Sequence, residues 1–168
     1  MENASPDAER QYDTMENQTQ TLIHCVRLAV PADFPALRFV DPLMRADRDR
    51  EHLVRTSIDR GECLVVVDDD DVQGFAILNY SLFGHAFIPL LVVASGDRRR
   101  GLATALIEEA ERQCVRSKLF ISCNRSNAPA QYLFEKCGFA PSGHVENLDD
   151  DEDDELVFYK TLPEKRQS

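Results

Sequence analysis

The sequence predicts a single α/β domain built on a mixed β-sheet. Its 168 residues, 43% hydrophobic and 29% charged, suffice to bury one core without disulfides or a structural metal. Strand-like and helix-like segments follow one another in the order β, helical pieces, three strands, α, β, α, β, β, which is typical of this class. The segment 99–116 has the apolar periodicity of a long amphipathic helix.

The first segment, residues 1–20, is polar, acidic and nearly free of aliphatic side chains. Such a segment cannot bury enough surface to offset the entropy lost on ordering. We therefore expect a disordered acidic tail at 1–20, one folded domain at 21–162 and a polar tail at 163–168.

The chain from 22 to 61 predicts one strand followed by helical pieces. Residues 22–28 have the composition of a strand, and Pro31–Asp33 predicts a turn that leads into a helix. Pro35 suits an early helical position, whereas the Asp41-Pro42 step is expected to break the run into roughly two helices.

An acidic turn joins the next two strands, 63–67 and 72–80. Short aspartate runs favour turns and repel one another. A calcium loop would alternate its ligands and carry a glycine and a distal glutamate, which Asp68–Asp71 does not do. We therefore expect a solvated turn here rather than a metal site.

The segment 74–96 contains no charged residue over 23 positions, a length that would permit a membrane span. Polar residues interrupt it, and the break at 83–85 divides it into two strand-sized pieces. A β-hairpin explains it better, and we expect no membrane partner. The second piece gives a strand at 87–93, in which Pro89 indicates an edge or a bulge.

The last third predicts a strand at 119–123 and a short helix at 128–136. Ser126 or Asn127 is expected to cap this helix, and Gly138 follows its end. Two strands, 143–148 and 156–161, are then expected to pair across an acidic loop.

The net charge of −11 is concentrated in two runs, Asp68–Asp71 and Asp149–Glu155, which together account for all of it. Overall acidity disfavours nonspecific binding to DNA, RNA or anionic membrane, because phosphate neutralisation needs a basic surface. We therefore expect no nucleic-acid partner.

The five cysteines are odd in number and scattered, without a C-x-x-C pair. Together with the missing secretory signal pattern, this predicts reduced thiols in a cytoplasmic protein. No His/Asp arrangement accompanies Cys123 or Cys137, so we expect small packed thiols rather than nucleophiles.

A basic, glycine-containing loop, Arg98-Arg99-Arg100-Gly101-Leu102-Ala103, joins a strand to the start of the long helix. The unpaired N–H groups and the positive dipole end of a helix favour anions such as phosphate. Walker A would need a lysine and a hydroxyl after Gly101, and no G-x-G-x-x-G is present. NTP and NAD are therefore poor fits.

The same loop resembles the pyrophosphate-loop pattern [QR]-x-x-G-x-[GA] of the GCN5-related N-acetyltransferase (GNAT) superfamily. The segment 127–139, NAPAQYLFEKCGF, is similar to a second motif of that family, N-x-x-A-x-x-[LF]-[YF]-x-K-x-G-F. The resemblance covers about residues 22–162. It implies that 21–162 is an N-acetyltransferase domain with a mixed, mostly antiparallel sheet flanked by helices and splayed between its fourth and fifth strands.

The resemblance also implies acetyl-CoA as cosubstrate, with no metal. The 91–93 segment would offer backbone groups to the pantetheine arm, the loop would hold the pyrophosphate, and Asn127 would contact the pantetheine. A plain helix cap is the alternative role of Asn127. The residues expected at the cofactor are Leu91, Val92, Val93, Arg98, Arg99, Arg100, Gly101, Leu102, Ala103, Thr104, Asn127 and Phe134.

Two catalytic roles of relatives are unfilled. Phe134 stands at the usual position of a tyrosine general acid, and Ser122 stands where some relatives place a glutamate base. By family analogy, a backbone N–H near Val92 or Val93 would stabilise the oxyanion. In place of the tyrosine, water would supply the proton, or the CoA thiolate would leave with little help from an acid. His85 is a weak candidate for the base, with an ordinary turn or packing histidine as its alternative.

The sequence therefore predicts transfer of an acetyl group to a primary amine of a small molecule or peptide. Asp149, Asp150, Asp151 and Glu152 are candidates for attracting a cationic amine, against the alternative of a solvated, self-repelling loop. A catalytically weak CoA-binding module is the rival function, and net acidity weighs against a nucleic-acid binder. We expect a monomer or homodimer.

Overall fold

A computed structural model describes residues 24–97, 100–148 and 153–163. The predicted tail at 1–20 and residues 164–168 lie outside these ranges. Within them, the elements follow the predicted order. They are β1 (Cys25–Leu28), α1 (Phe34–Val40), α2 (Arg48–Asp59), β2 (Cys63–Asp68), β3 (Asp71–Leu82), β4 (His85–Val93), α3 (Leu102–Gln113), β5 (Lys118–Asn124), α4 (Ala128–Lys136), β6 (Ala140–Val145) and β7 (Glu155–Thr161), with 3₁₀ turns at Pro31–Asp33, Pro42–Arg45 and Ser95–Asp97.

The strands form one seven-stranded sheet in the order β1-β2-β3-β4-β5-β7-β6. The β4–β5 pair is parallel, and the other five pairs of neighbours are antiparallel. The crossover from β4 to β5 contains α3, as a parallel connection requires. The predicted mixed, mostly antiparallel sheet is therefore confirmed.

The sheet splays between β4 and β5. These strands pair only where Ala86–Ile88 meets Leu119–Ile121, although β5 continues along β7 as far as Asn124. Pro89 follows at once, and Leu78 of β3 faces two residues of β4 there, which is a bulge. Because proline donates no backbone hydrogen bond, it ends the β4–β5 ladder and opens the sheet beyond. The bulge expected at Pro89 is present, and the edge position is wrong.

The core lies on both faces of the sheet. Leu64, Val66 and Ala76 pack on the face covered by α3 and α4, while Val65 and Phe75 pack towards α1 and α2. Strands buried on both faces are continuously apolar, which explains the unbroken hydrophobic runs of β2 and β3.

Several predicted boundaries were wrong. α3 begins at Leu102 rather than at 99, because Gly101 has a left-handed backbone with φ of 81°, and it ends before Cys114, whose ψ of 125° is extended. β6 covers 140–145 rather than 143–148, and the left-handed Asn147 (φ 55°) lies beyond its end. The first strand is described only from Cys25.

The uncharged segment 74–96 forms most of the β3–β4 hairpin, which turns at Phe83 and Gly84, both with positive φ. None of the helices in the described ranges is long and apolar enough to cross a membrane.

Candidate functional site

An open cleft of about 2100 Å³ follows the opening between β4 and β5. The end of β4, the start of α3, the end of β5 and the face of α4 all contribute to it. Most of the predicted site residues therefore meet at one place in the fold. Those that line the cleft are Leu91, Val92, Val93, Gly101, Leu102, Ala103, Thr104, Ser122, Asn127 and Phe134.

The amino terminus of α3 lies at this cleft, which residues 101–104 help to line. Gly101 is the N-cap residue and supplies no side-chain cap, and no acidic residue stands in the first turn. In contrast, Asp47 caps α2 by accepting from Arg50 N (2.9 Å), and Asn127 caps α4 by accepting from Ala130 N (3.2 Å). The first N–H groups of a helix have no partner within it. At the positive end of the dipole, such N–H groups can bind an anion.

Arg100 precedes this terminus and contacts two distant parts of the chain. Its guanidinium forms an ion pair with Asp68, in the acidic turn between β2 and β3. Its carbonyl oxygen accepts a hydrogen bond of 2.7 Å from Nε2 of His24, beside β1. The predicted loop residues Arg98 and Arg99 lie outside the described residues.

β4 approaches β3 unusually closely at the cleft. A Cβ atom on Gly74 would lie 2.8 Å from the carbonyl oxygen of Val92 and 3.2 Å from a methyl group of Val93. Glycine is therefore required there. Beyond Ile88 the ladder with β5 has ended, so the backbone on that side of Val92 and Val93 opens into the cleft.

Asn127 stands at the rim of the cleft, where its side chain caps α4 through Ala130 N. The cap expected as its alternative role is thus observed. A side-chain oxygen in this bond leaves the amide nitrogen of Asn127 available for a second partner.

The described end of the acidic run contacts the loop after β5. Asp153 accepts from the backbone N–H of Ser126 (3.1 Å) and pairs with its hydroxyl, while Asp154 accepts from Arg125 Nε (3.1 Å) and Nη2 (2.6 Å). The candidates Asp149, Asp150, Asp151 and Glu152 lie outside the described residues. Asp153 and Asp154, which follow these candidates in the chain, attach that end of the run to the β5–α4 loop beside the cleft.

Phe134 is only 3% exposed. Its ring packs edge-on against Phe158, with centroids 5.5 Å apart, and against Phe139 at 6.3 Å. Ser122 is half-buried on β5 opposite Val157. The position that would hold a tyrosine acid is therefore part of an aromatic cluster at the wall of the cleft.

His85 lies at the other end of β4 from the splay, with its ring 5.6 Å from that of Phe120. It is not among the residues that line the cleft. The structure therefore separates this candidate base from the other predicted site residues.

The buried thiols are poorly suited to nucleophilic catalysis. Burial, with smaller contributions from Glu155 and Asp153, raises the pKa of the Cys123 thiol to about 11. Burial likewise raises the pKa of the Cys63 thiol to about 12, and it also raises the pKa of Cys137. With this pKa, Cys123 is almost entirely a neutral thiol at neutral pH. Because the thiolate is the reactive form, Cys123 is a poor nucleophile even though it lines the cleft.

The α1–α2 segment also contributes to the cleft, which the sequence did not predict. Phe39 and Leu43 line the cleft with their side chains 76% and 62% exposed, and Leu148 does so at 58%. Beneath them Asp41, 2% exposed, binds Nε of Arg50 at 2.6 Å. Apolar residues on the outer side of α1 were the available signal, and the Asp41-Pro42 step was interpreted only as a break between helices.

Comparison with known proteins decides the family. The model of the acetyltransferase (GNAT) family matches residues 28–139, which contain the β4–α3 junction and both quoted motifs. The chain belongs to the GNAT acetyltransferase family. The resemblance inferred from the residues is thereby confirmed, and acetyl transfer is the activity of the family.

Solved GNAT structures share the architecture. A GNAT acetyltransferase from Bacillus cereus is 32% identical, with a TM-score of 0.77 over 84% of this chain and 99% of that one. Ard1 from Thermoplasma volcanium, 18% identical, has a TM-score of 0.74 over the same shares. A Bacillus anthracis protein assigned as a streptothricin acetyltransferase, in complex with acetyl coenzyme A, is 19% identical, with a TM-score of 0.56 over 60% of this chain and 62% of its own. The last two support the fold alone. Comparison with curated proteins found no significant match.

Proposed function

We propose that this GNAT domain is an acetyl-CoA-dependent N-acetyltransferase acting on a primary amine of a small molecule or peptide. The observation that carries the proposal is the amino terminus of α3, whose N-cap residue Gly101 supplies no side-chain cap and lines a cleft made by the splay of β4 from β5. The acetyl-CoA bound to the Bacillus anthracis neighbour supports the choice of cosubstrate.

In this proposal the pyrophosphate lies against the first N–H groups of α3. Gly101 has no side chain to obstruct it, and among the described residues a Cβ there would meet only His24 Nε2, at 3.8 Å. Arg98–Arg100 raise the local positive potential. The pantetheine arm follows Leu91–Val93 along β4 and passes the amide of Asn127.

The chemistry is direct attack on a thioester. The amine nitrogen forms a bond to the acetyl carbonyl carbon, the carbon–sulfur bond breaks, and the amine proton passes to water. A backbone N–H near Val92 or Val93 stabilises the oxyanion. Because Phe134 has no proton to give, the CoA thiolate leaves unprotonated or takes its proton from water.

Residues 149–152 are proposed to attract the cationic form of the amine. The contacts of Asp153 and Asp154 with the β5–α4 loop support this, because they attach one end of the run beside the cleft. Changing 149–152 to Ser or Asn should raise the amine KM strongly at low salt and little at high salt. A variant with four exposed acids outside the cleft lining, Asp49, Asp59, Asp69 and Asp70, changed to Asn removes the same number of charges and controls for net charge. An amine KM that stays unchanged at low salt would contradict this role.

A CoA-binding module with weak or no catalysis is the second candidate, favoured by the buried Phe134 in place of a tyrosine. The two differ in turnover. Release of free CoA from acetyl-CoA is measured with a panel of small amines and peptides, and mass spectrometry of the amine detects the acetyl group. Amine-dependent release supports the enzyme, whereas tight acetyl-CoA binding without turnover across the panel supports the module. The domain bounds 21–162, a cytoplasmic location and a monomeric or homodimeric state are parts of the same proposal.

A further inference from the structure

We propose that Asp68 and His24 are positioning residues that hold Arg100, and through it the amino terminus of α3, in the geometry that binds the pyrophosphate. The inference rests on the proposed function of that terminus. It also assigns a role to the acidic turn, which charge and composition alone indicate to be a solvated loop.

His24 controls the direction of one backbone N–H. Its Nε2 donates to the Arg100 carbonyl oxygen at 2.7 Å. In a planar trans peptide the C=O and the following N–H point in opposite directions. While the Arg100 carbonyl faces His24, the N–H of Gly101 therefore faces away from His24. Gly101 lines the cleft and begins α3, since its own carbonyl accepts from Ala105 N at 3.0 Å.

Asp68 holds the side chain of the same residue. It lies at the end of β2, where Asp69 and Asp70 form a tight turn with φ of 47° and 70°, the left-handed conformation of a two-residue hairpin. This turn directs β3 back along β2 and leaves the Asp68 carboxylate against the guanidinium of Arg100. The first aspartate of the run is thus in contact with the loop.

The two holding residues are neighbours in the sheet. β1 and β2 are antiparallel, with Cys25 opposite Val67, so continuing the register by one step places His24 opposite Asp68. The neighbouring residues His24 and Asp68 therefore hold the main chain and the side chain of Arg100, respectively. The positive φ of Gly101 follows directly after this double attachment.

The proposal and simple electrostatics predict opposite effects on acetyl-CoA affinity when the Asp68 charge is removed, so the direction of the change distinguishes them. A carboxylate near an anionic ligand repels it, so removing the charge should tighten acetyl-CoA binding if the turn is only a solvated loop. If Asp68 positions Arg100, its removal should weaken binding.

The test is calorimetric titration of acetyl-CoA into the full chain carrying Asp68→Asn, with Asp70→Asn as the matched control. Both variants lose one charge from the same turn, and asparagine tolerates the left-handed backbone of position 70. We expect the acetyl-CoA Kd to rise about fivefold in Asp68→Asn, a coupling of ordinary size for residues in contact. The control should show a Kd unchanged or slightly lower. Equal Kd values for the two variants, or tighter binding by Asp68→Asn, would overturn the role of Asp68.

A double-mutant cycle shows whether Asp68 acts through Arg100. In an Arg100→Gln background, Asp68→Asn should have no further effect on the Kd, whereas an undiminished fivefold effect would refute the proposed route. His24→Ala should raise the Kd and the KM for acetyl-CoA while kcat at saturation stays unchanged, and His24→Gln, which retains a donor, should restore part of the loss. A fall in kcat with an unchanged Kd would contradict the role of His24. If the wild-type chain does not bind acetyl-CoA at all, the proposed function itself fails, which is distinct from these outcomes.

Discussion

Gly74→Ala should damage both stability and acetyl-CoA binding, because it pushes β3 away from β4 at the cleft. The new Cβ would lie 2.8 Å from the Val92 carbonyl oxygen, whereas ordinary contact begins at 3.4 Å. The strands must therefore separate locally by about 0.6 Å, from 3.4 − 2.8. Overpacking of this kind costs about 2 kcal/mol, which corresponds to a fall of about 6 °C in Tm for a chain of this size.

The same displacement moves the β4 backbone that we place against the pantetheine arm. Misplacement by a fraction of an ångström in a binding site is expected to raise the acetyl-CoA KM about tenfold. Thermal unfolding and steady-state kinetics well below the Tm measure the two effects. Gly96→Ala is the matched control, because Gly96 also lines the cleft but an added Cβ there has no atom of the described residues within 4 Å. A Gly74→Ala variant with the Tm and KM of the control would refute the reasoning.

Three further predictions follow from single contacts. The hydrogen bond from Arg27 holds the pKa of the Asp33 carboxyl below its ordinary 3.8, so this pair adds stability above that pH and loses it as the pH falls; urea unfolding should show Asp33→Asn less stable than wild type at pH 7, with the difference narrowing as the pH falls below 3.8. Phe134→Tyr should change kcat by less than about threefold, because the thiolate needs little help in leaving, and a rise of a hundredfold or more would show that a general acid was required. Under native conditions the exposed Cys25 should react with iodoacetamide well before the buried Cys123, whose pKa is about 11, as peptide mapping would show; faster labelling of Cys123 would contradict its burial.

Local patterns were sufficient to predict the element order and the β4–α3 junction. Apolar periodicity identified α3, and the basic loop with its glycine identified the junction between strand and helix, because both depend on neighbours in the chain. Pro89 indicated a bulge for the same reason, since its missing N–H cannot join a ladder. The predicted start of α3, at 99, was wrong. Arginines are compatible with a helix, so nothing in residues 99–100 indicated that the left-handed Gly101 would delay the first helical turn to Leu102.

Long-range contacts were not predictable in this way. The composition of Asp68–Asp71 correctly indicated a turn, but nothing local to it indicated that Asp68 meets Arg100, 32 positions further along the chain. Similarly, the exposed Phe39 and Leu43 acquire their place at the cleft only from the packing of α1 beside β3 and β4. Conversely, His85 lies outside the cleft lining, because β4 places it at the end opposite the splay.

The most direct test of the account is the affinity of the full chain for acetyl-CoA, compared between wild type, Gly101→Glu and Gly61→Glu by calorimetry. Both glycines have a positive φ, 81° at Gly101 and 67° at Gly61, and at neither position would a Cβ come closer than 3.8 Å to a described atom, so the two variants carry a similar backbone strain and the same added charge. Gly61 lies between α2 and β2, away from the cleft lining. The account predicts that Gly101→Glu abolishes binding with the fold intact, while Gly61→Glu binds like the wild type. Retained binding by Gly101→Glu would contradict the claim that the amino terminus of α3 holds the cofactor.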